Sequence, residues 1–359
     1  MSYLIAAAGT GGHVFPGLSV AEALVHRGAG REEVLFVGGD RLESRIYPEA
    51  GYPFLQVEMR GLQRQVTPSN LRLPMVVWRA RAKIKEAISE RRVRVVLGMG
   101  GYITIPAAMA AKAAGAVLMN AEQNAEAGLA NRVVSRWAER TFGAFPSTGG
   151  LPRAEWLGNP VRREFWDFDR TLLRSKAMAR YGLRGEGPVL GVLGGSLGAR
   201  ILNTAIAEMV ARWQGPEIEV IHLTGPEAPG IGPEPSPPDR VGWLRIGFET
   251  EMDLFYAACD LVVARAGGAV AELTATATPA VLVPGGFGSS GHQGANARFL
   301  TSVGAAVTIA EEEIKSLPQE VSSLLADEQR LAAMREAARV IARPKAALSI
   351  ATAMMEAAA

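Results

Sequence analysis

The apolar residues of this chain fall in short unbroken runs, at 3–8, 34–37, 93–97, 116–119, 189–193, 219–223, 261–263 and 280–283, with stretches of helical composition between them. A strand with one wet face alternates polar and apolar residues, whereas a continuous run is buried on both faces. Runs of this kind separated by helices therefore specify parallel sheets covered by helices on both sides. The length, 359 residues, favours two domains over one. The second half opens as the first does: "YLIAAAGTGGHVFPGLSVAEAL" from residue 3 and "VLGVLGGSLGARILN" from residue 189 both read as strand, glycine turn, helix. The expected class is α/β, with two Rossmann-like domains facing a cleft that would be the natural place for a ligand. The joint is expected in "LGNPVRREFWDFD", where Pro160 stops regular structure, giving domains 1–160 and 161–344. Pro344 then breaks a helical run, and the last segment, 345–359, is expected to cross back onto the first domain as a helix. The Pro- and Gly-rich stretch 225–240 reads as a long surface loop within the second domain.

Composition removes several function classes. Apolar residues make up 48% and charged residues 21%, which suits a chain with ample core and excludes a disordered one. The one cysteine, Cys259, excludes an internal disulfide and a cysteine-rich metal site, and the four histidines, at 13, 26, 222 and 292, lack metal-ligand spacing. The first residues lack the basic region of a signal peptide. The apolar run 105–119 is interrupted by Lys112 and Gly115 and is short for a membrane span. No G-x-S-x-G elbow and no Walker lysine loop occurs. Glu311, Glu312 and Glu313 read as a solvated helix start. Net charge is only +2, yet residues 60–94 carry ten Lys/Arg against two Glu, so that segment is +8 and the remainder −6. Such a basic stretch points to an acidic surface, lipid or nucleic acid.

Three glycine-rich turns carry the chemistry. In the first, Gly9-Thr10-Gly11-Gly12-His13, the glycines permit a tight turn and close approach of a ligand, and a helix starting near 13–17 would offer free N–H groups to an anion. Asp40, after the second strand, keeps the ribose acid of an NAD-dependent oxidoreductase open as an alternative. The second turn, 194–199, is another phosphate cradle or a close-packed strand–helix turn. The third, "RAGGAVAEL" from Arg265, places Gly267 and Gly268 at a helix start and Glu272 one turn in, where a carboxylate can hold ribose hydroxyls. Downstream, Gln293 and Asn296 share a helical face, a spacing that suits sugar hydroxyls or, more plainly, helix capping.

The segments "GTGGHVFPGLSVA", "LGMGGYITIPAA", "EQNAEAGLANR", "GNPVR", "GGSLGARILN", "AELTATATPAVLVP" and "HQGANA" occur in that order. Together they make the chain resemble the MurG family of bacterial glycosyltransferases, from residue 5 to about 306. The resemblance implies the glycosyltransferase-B fold and transfer of N-acetylglucosamine from UDP-N-acetylglucosamine to the 4-hydroxyl of the N-acetylmuramic acid of lipid I, with inversion. Inversion requires one displacement and one base, and His13 is the expected base. A helix N-terminus disfavours imidazolium, so the neutral ring should be available near pH 7. The implied donor-binding residues are Thr10, Gly11, Gly12, Asn124, Arg162, Ser196, Arg265, Gly267, Gly268, Glu272, Gln293 and Asn296, with Tyr102 on the acceptor side. No metal site and no obligatory cofactor is expected, which leaves room for stimulation by Mg²⁺.

Three departures from the family pattern stand out. Ala121 replaces a histidine, the interval from Arg265 to Glu272 is one residue short and lacks its Ser/Thr, and Glu249 stands where an apolar residue is usual. The expected partners are UDP-N-acetylglucosamine, lipid I and an anionic membrane surface, with peripheral location on the cytoplasmic face of the bacterial plasma membrane. For the membrane contact the candidates are Met75 and Trp78, ringed by Arg72, Arg79, Arg81, Lys83 and Lys85, while Val77, Ile84 and Ile88 turn to the core. Nucleic acid is disfavoured because only one aromatic is interleaved with these charges. Alternatives are a UDP-sugar epimerase of the same fold, the oxidoreductase, and an idle nucleotide-sugar binding module.

Overall fold

The structure is a computed structural model that describes residues 2–59, 73–228, 237–285 and 291–359. Arg72 and residues 229–236, half of the 225–240 loop, lie outside the described residues. The chain divides into two compact units, one of Met1–Arg163 with Pro344–Ala359 and one of Glu164–Arg343.

The first unit runs β1 (Ser2–Ala6), α1 (Gly11–His26), β2 (Val34–Gly38), α2 (Glu43–Glu49), β3 (Phe54–Gln56), α3 (Leu73–Glu90), β4 (Val93–Gly98), α4 (Thr104–Ala114), β5 (Val117–Glu122), α5 (Leu129–Val134), β6 (Arg140–Gly143) and β7 (Glu155–Trp156). The strands form one parallel sheet in the order β3-β2-β1-β4-β5-β6-β7. Leu4 of β1 sits in register with Leu35 on one side and Val96 on the other. All three pack with Ile84 and Ile88 of α3 and Ala107 of α4, so the unbroken apolar runs are covered by helices as their composition requires.

The second unit runs α6 (Arg170–Tyr181), β8 (Val189–Leu193), α7 (Arg200–Ala211), β9 (Ile218–Leu223), β10 (Val241–Ile246), α8 (Met252–Ala258), β11 (Leu261–Ala264), α9 (Ala269–Ala275), β12 (Ala280–Leu282), α10 (His292–Ser302), β13 (Ala306–Thr308), α11 (Leu317–Leu325) and α12 (Glu328–Ile341). Its parallel sheet has the order β10-β9-β8-β11-β12-β13. After Pro344 the final helix, α13 (Ala346–Ala358), returns to the first unit, buries Ile350 and Met354, and packs on α1 and β4.

Both sheets reverse direction once, between β1 and β4 in the first unit and between β8 and β11 in the second. In a doubly wound sheet the loops at such a switch point diverge and leave a crevice at the carboxyl ends of the strands, where ligands bind. The glycine turns read from the sequence lie at those two points.

Candidate active site

At the first switch point α1 begins at Gly11, earlier than the expected 13–17, so Gly11, Gly12 and His13 all lie in its first turn. Thr10 is the N-cap residue. Its hydroxyl does not cap the helix but lies 3.2 Å from His13 Nδ1, fixing the ring by a side-chain bond. The neighbouring β4–α4 turn carries Gly100 and Gly101 at φ +91° and +77°. A Cβ on Gly100 would come within 2.9 Å of His13 Cδ2 and 3.0 Å of Nε2, so only glycine lets that turn lie against the imidazole.

Two buried carboxylates organise the surrounding loops. Glu43 of α2, fully buried, accepts from Gly9 N–H (3.2 Å), Gly39 N–H (3.1 Å) and the Tyr102 hydroxyl (2.9 Å). Burial, with the Glu43 charge beside it, holds the Tyr102 phenol well above its usual range, so it stays protonated. Glu122, at the end of β5, accepts from the N–H groups of Gln123, Asn124 and Gly128 and from the side-chain amides of Asn124 and Asn131, at 2.8–3.0 Å. Asn124 is thereby fixed to Glu122 in the turn that follows β5. Arg162 is half-buried, in the segment that leaves the first unit. Neither carboxylate stands out by periodicity. Their signal is an acid placed where an apolar strand or its following turn meets several loop N–H groups.

At the second switch point an open cavity of about 290 Å³ is lined by Gly194, Gly195, Gly198, Ala199, Arg265, Gly267, Gly268, Gly285 and Gln293, among others. Ala199, the N-cap of α7, and Ala269, the first residue of α9, border it beside the Arg265 guanidinium, an arrangement suited to a polyanion. A Cβ at Gly195 or Gly268 would meet nothing within 4 Å; Gly195 is accounted for by its φ of +90°, whereas no packing demand accounts for Gly268. Gln293 Oε1 accepts from Gly285 N–H at 2.8 Å at the cavity wall. Ser196 is exposed on the β8–α7 turn, and Glu272, half-buried on α9, accepts from the Tyr256 hydroxyl at 2.9 Å.

Several expectations change on these observations. Asn296 does not offer its amide beside Gln293: it is 1% exposed and donates to the Ala266 carbonyl at 3.0 Å, stitching α10 to the third glycine turn. Glu311, Glu312 and Glu313 do open a short 3-10 helix, Glu311–Ser316, with Glu312 and Glu313 exposed, but Glu311 itself is not solvated. It pairs with Arg265 at 2.6 Å, both side chains about 15% exposed, and offsets much of the charge Arg265 was expected to present. Glu249 turns inward, accepting from Thr250 N–H, Glu251 N–H and the Tyr181 hydroxyl, so its carboxylate serves the start of α8. Met75 and Trp78 are 56% and 61% exposed on α3, with Arg79 exposed beside them, while Ile84 and Ile88 are buried and Val77 packs partly against the core. Among the described residues no group of His, Cys, Asp and Glu is placed to hold a metal ion, and no helix is long and apolar enough to cross a membrane.

Two parallel-sheet α/β units, each with an N–H-lined glycine turn at its switch point, define the class of nucleotide-dependent α/β enzymes with the glycosyltransferase-B fold. The chain belongs to glycosyltransferase family 28: residues 3–143 match the family's N-terminal domain and 189–351 its C-terminal domain. It is similar to the UDP-N-acetylglucosamine--N-acetylmuramyl-(pentapeptide) pyrophosphoryl-undecaprenol N-acetylglucosamine transferases of Halorhodospira halophila, 39% identical with 97% of this chain and 96% of that one covered, and of Clavibacter sepedonicus, 38% identical with 94% and 91% covered. Among solved structures it is similar to Acinetobacter baumannii MurG, with a TM-score of 0.79, 26% identity and coverage of 99% and 100%.

Proposed function

We propose that this chain is an inverting N-acetylglucosaminyltransferase. It moves N-acetylglucosamine from UDP-N-acetylglucosamine to the 4-hydroxyl of the N-acetylmuramic acid of lipid I, forming lipid II for peptidoglycan at the cytoplasmic face of the plasma membrane. The observation that carries this reading is the pair of relatives bearing that activity in their names at 38–39% identity over 94–97% of the chain. In this reading the second-unit cavity takes the donor diphosphate near the starts of α7 and α9, with Arg265, Gly267 and Gly268 lining it and Ser196 reaching the phosphates from the exposed β8–α7 turn. Glu272, oriented by Tyr256, takes the ribose and Gln293 the sugar, while Asn296 positions the turn on which Arg265, Gly267 and Gly268 stand.

On the first unit His13 is the base. In the tautomer in which Nδ1–H donates to Thr10, Nε2 carries the lone pair that takes the proton of the attacking hydroxyl. That oxygen displaces UDP in one step, so the anomeric centre inverts. Thr10, Gly11, Gly12, Asn124 and Arg162 complete the donor contacts in this reading. Helix N–H groups and guanidinium donors meet the charge that develops on the leaving diphosphate. Transfer is therefore expected to persist in EDTA. Complete loss there, restored by one divalent ion, would overturn that part.

The test is incubation with labelled UDP-N-acetylglucosamine and a lipid I analogue. A labelled disaccharide lipid is the expected product. Conversion of the UDP-sugar to an epimer, nicotinamide reduction, or UDP-sugar binding without turnover would each replace this reading with one of the alternatives.

A further inference from the structure

Glu43 lies at the meeting of three loops that the sequence keeps far apart. Its carboxylate is 0% exposed and receives Gly9 N–H from the β1–α1 turn, Gly39 N–H from the β2–α2 turn and the Tyr102 hydroxyl from the β4–α4 turn. The surrounding glycines are fitted to this pair: a Cβ on Gly38 would come within 2.6 Å of Glu43 Cγ, one on Gly39 within 2.3 Å of the Tyr102 oxygen, and one on Gly9 within 3.3 Å of the Tyr102 ring. A phenol has one proton, and here it points inward to a buried carboxylate. Released from Glu43, the same hydroxyl would rotate and serve as donor or acceptor alike. Held by it, the outward side of the Tyr102 oxygen offers lone pairs only.

We propose that Glu43 is a positioning residue that commits the Tyr102 proton inward, so that Tyr102 meets the acceptor substrate as a hydrogen-bond acceptor and selects a ligand hydroxyl or amide N–H there. This rests on the transferase reading, in which Tyr102 is on the acceptor side. A sugar bearing free hydroxyls and an acetamido N–H has the donors such a site takes, whereas a carboxylate or phosphate oxygen directed at the same point is repelled. The same carboxylate also holds Gly9, in the β1–α1 turn that leads into His13, so acceptor recognition and the placement of the base share one anchor.

The test is steady-state transfer with each substrate varied separately, using UDP-N-acetylglucosamine and a lipid I analogue, for the parent protein, Glu43→Gln, Tyr102→Phe and the double variant. One lost hydrogen bond corresponds to roughly a 3- to 10-fold change. Tyr102→Phe is expected to raise the acceptor KM by that factor with the donor KM unchanged. Glu43→Gln, which puts an amide donor among groups that need an acceptor, is expected to raise the acceptor KM at least as much. The double variant should show no further loss beyond Glu43→Gln, because the two act through one bond. Additive losses, or equal increases in both KM values, overturn the proposal. If Glu43→Gln does not fold, Tyr102→Phe decides alone: an unchanged acceptor KM overturns it. A parent protein that transfers nothing overturns the transferase reading instead, so the two failures are distinct.

Discussion

At the scale of single residues the first switch point is built around His13, and its neighbours explain their own identities. Thr10 is spent on the imidazole, and Gly100 is a glycine because a side chain there would strike the ring. A base removed from such a site lowers the chemical step without removing the donor's contacts. His13→Ala is expected to cut kcat by roughly 10²–10⁴-fold, with UDP affinity by titration calorimetry close to that of the parent. Near-normal turnover at saturating substrate rules His13 out as the base, and a fall in thermal stability with turnover preserved reassigns it to holding the turn. The second unit offers a complementary test. Glu272 is oriented by the Tyr256 hydroxyl, and under the proposed function its loss should be read in the nucleotide. Glu272→Ala is expected to weaken UDP binding by at least tenfold, on the scale of hydrogen bonds to a charged group. Unchanged UDP affinity in the calorimeter would remove it from the ribose.

At the scale of elements, the strands legible in the sequence were those buried on both faces. The runs at 3–8, 93–97, 189–193 and 261–263 are β1, β4, β8 and β11, the pairs that flank the two switch points. The strands that escaped are mostly edges. β3, β7, β10 and β13 end their sheets, and their residues are largely half-exposed, so composition does not mark them. The glycine turns were legible because each stands at the end of a readable strand. Glu43, Glu122 and the Arg265–Glu311 pair were not, because their partners come from loops distant in sequence and no period brings them together. His222 on β9 belongs with these. It is fully buried, its Nε2 is 3.0 Å from Asn203 Oδ1 on α7, and Asn203 in turn donates to the Thr224 carbonyl. Burial, helped by the Arg245 charge, lowers its pKa to about 4. The folded state therefore prefers neutral His222, and below pH 6.5 the unfolded chain binds the proton first. The contribution is fully present above pH 6.5 and is lost as pH falls to about 4, on the order of 3 kcal/mol across that window. Urea unfolding midpoints at pH 7 and pH 4.5 should fall further for the parent than for His222→Gln. Equal falls in both proteins would show that His222 does not titrate in this way.

At the scale of the whole molecule, the charge is lopsided in a way the near-neutral total conceals: +8 within residues 60–94 and −6 over the rest. A chain with that imbalance is repelled by acidic surfaces over most of its length and drawn to them through one segment. The described part of that segment, residues 73–94, comprises α3 and the start of β4, and α3 carries both apolar and basic side chains outward. Ile84 and Ile88 spend its buried stripe on the core, yet Met75 and Trp78 remain 56% and 61% exposed, with Arg79, Lys83 and Lys85 also exposed along the helix. An apolar tip ringed by cations gains from both phases of an anionic bilayer surface. Trp and Met enter the headgroup boundary, and each basic residue adds on the order of 1 kcal/mol near it. A substrate tethered to a polyprenyl chain presents its sugars at that boundary, which gives such a surface a purpose under the proposed function. Co-sedimentation with vesicles containing phosphatidylglycerol should therefore capture the protein, while phosphatidylcholine vesicles should not, and binding should weaken as salt screens the charges. The Met75→Ser/Trp78→Ser double variant should lose most of the binding while retaining UDP affinity, since it leaves the second-unit cavity intact. A double variant that sediments like the parent would remove α3 as the docking surface, and binding indifferent to lipid charge and salt would remove the basic segment as its cause.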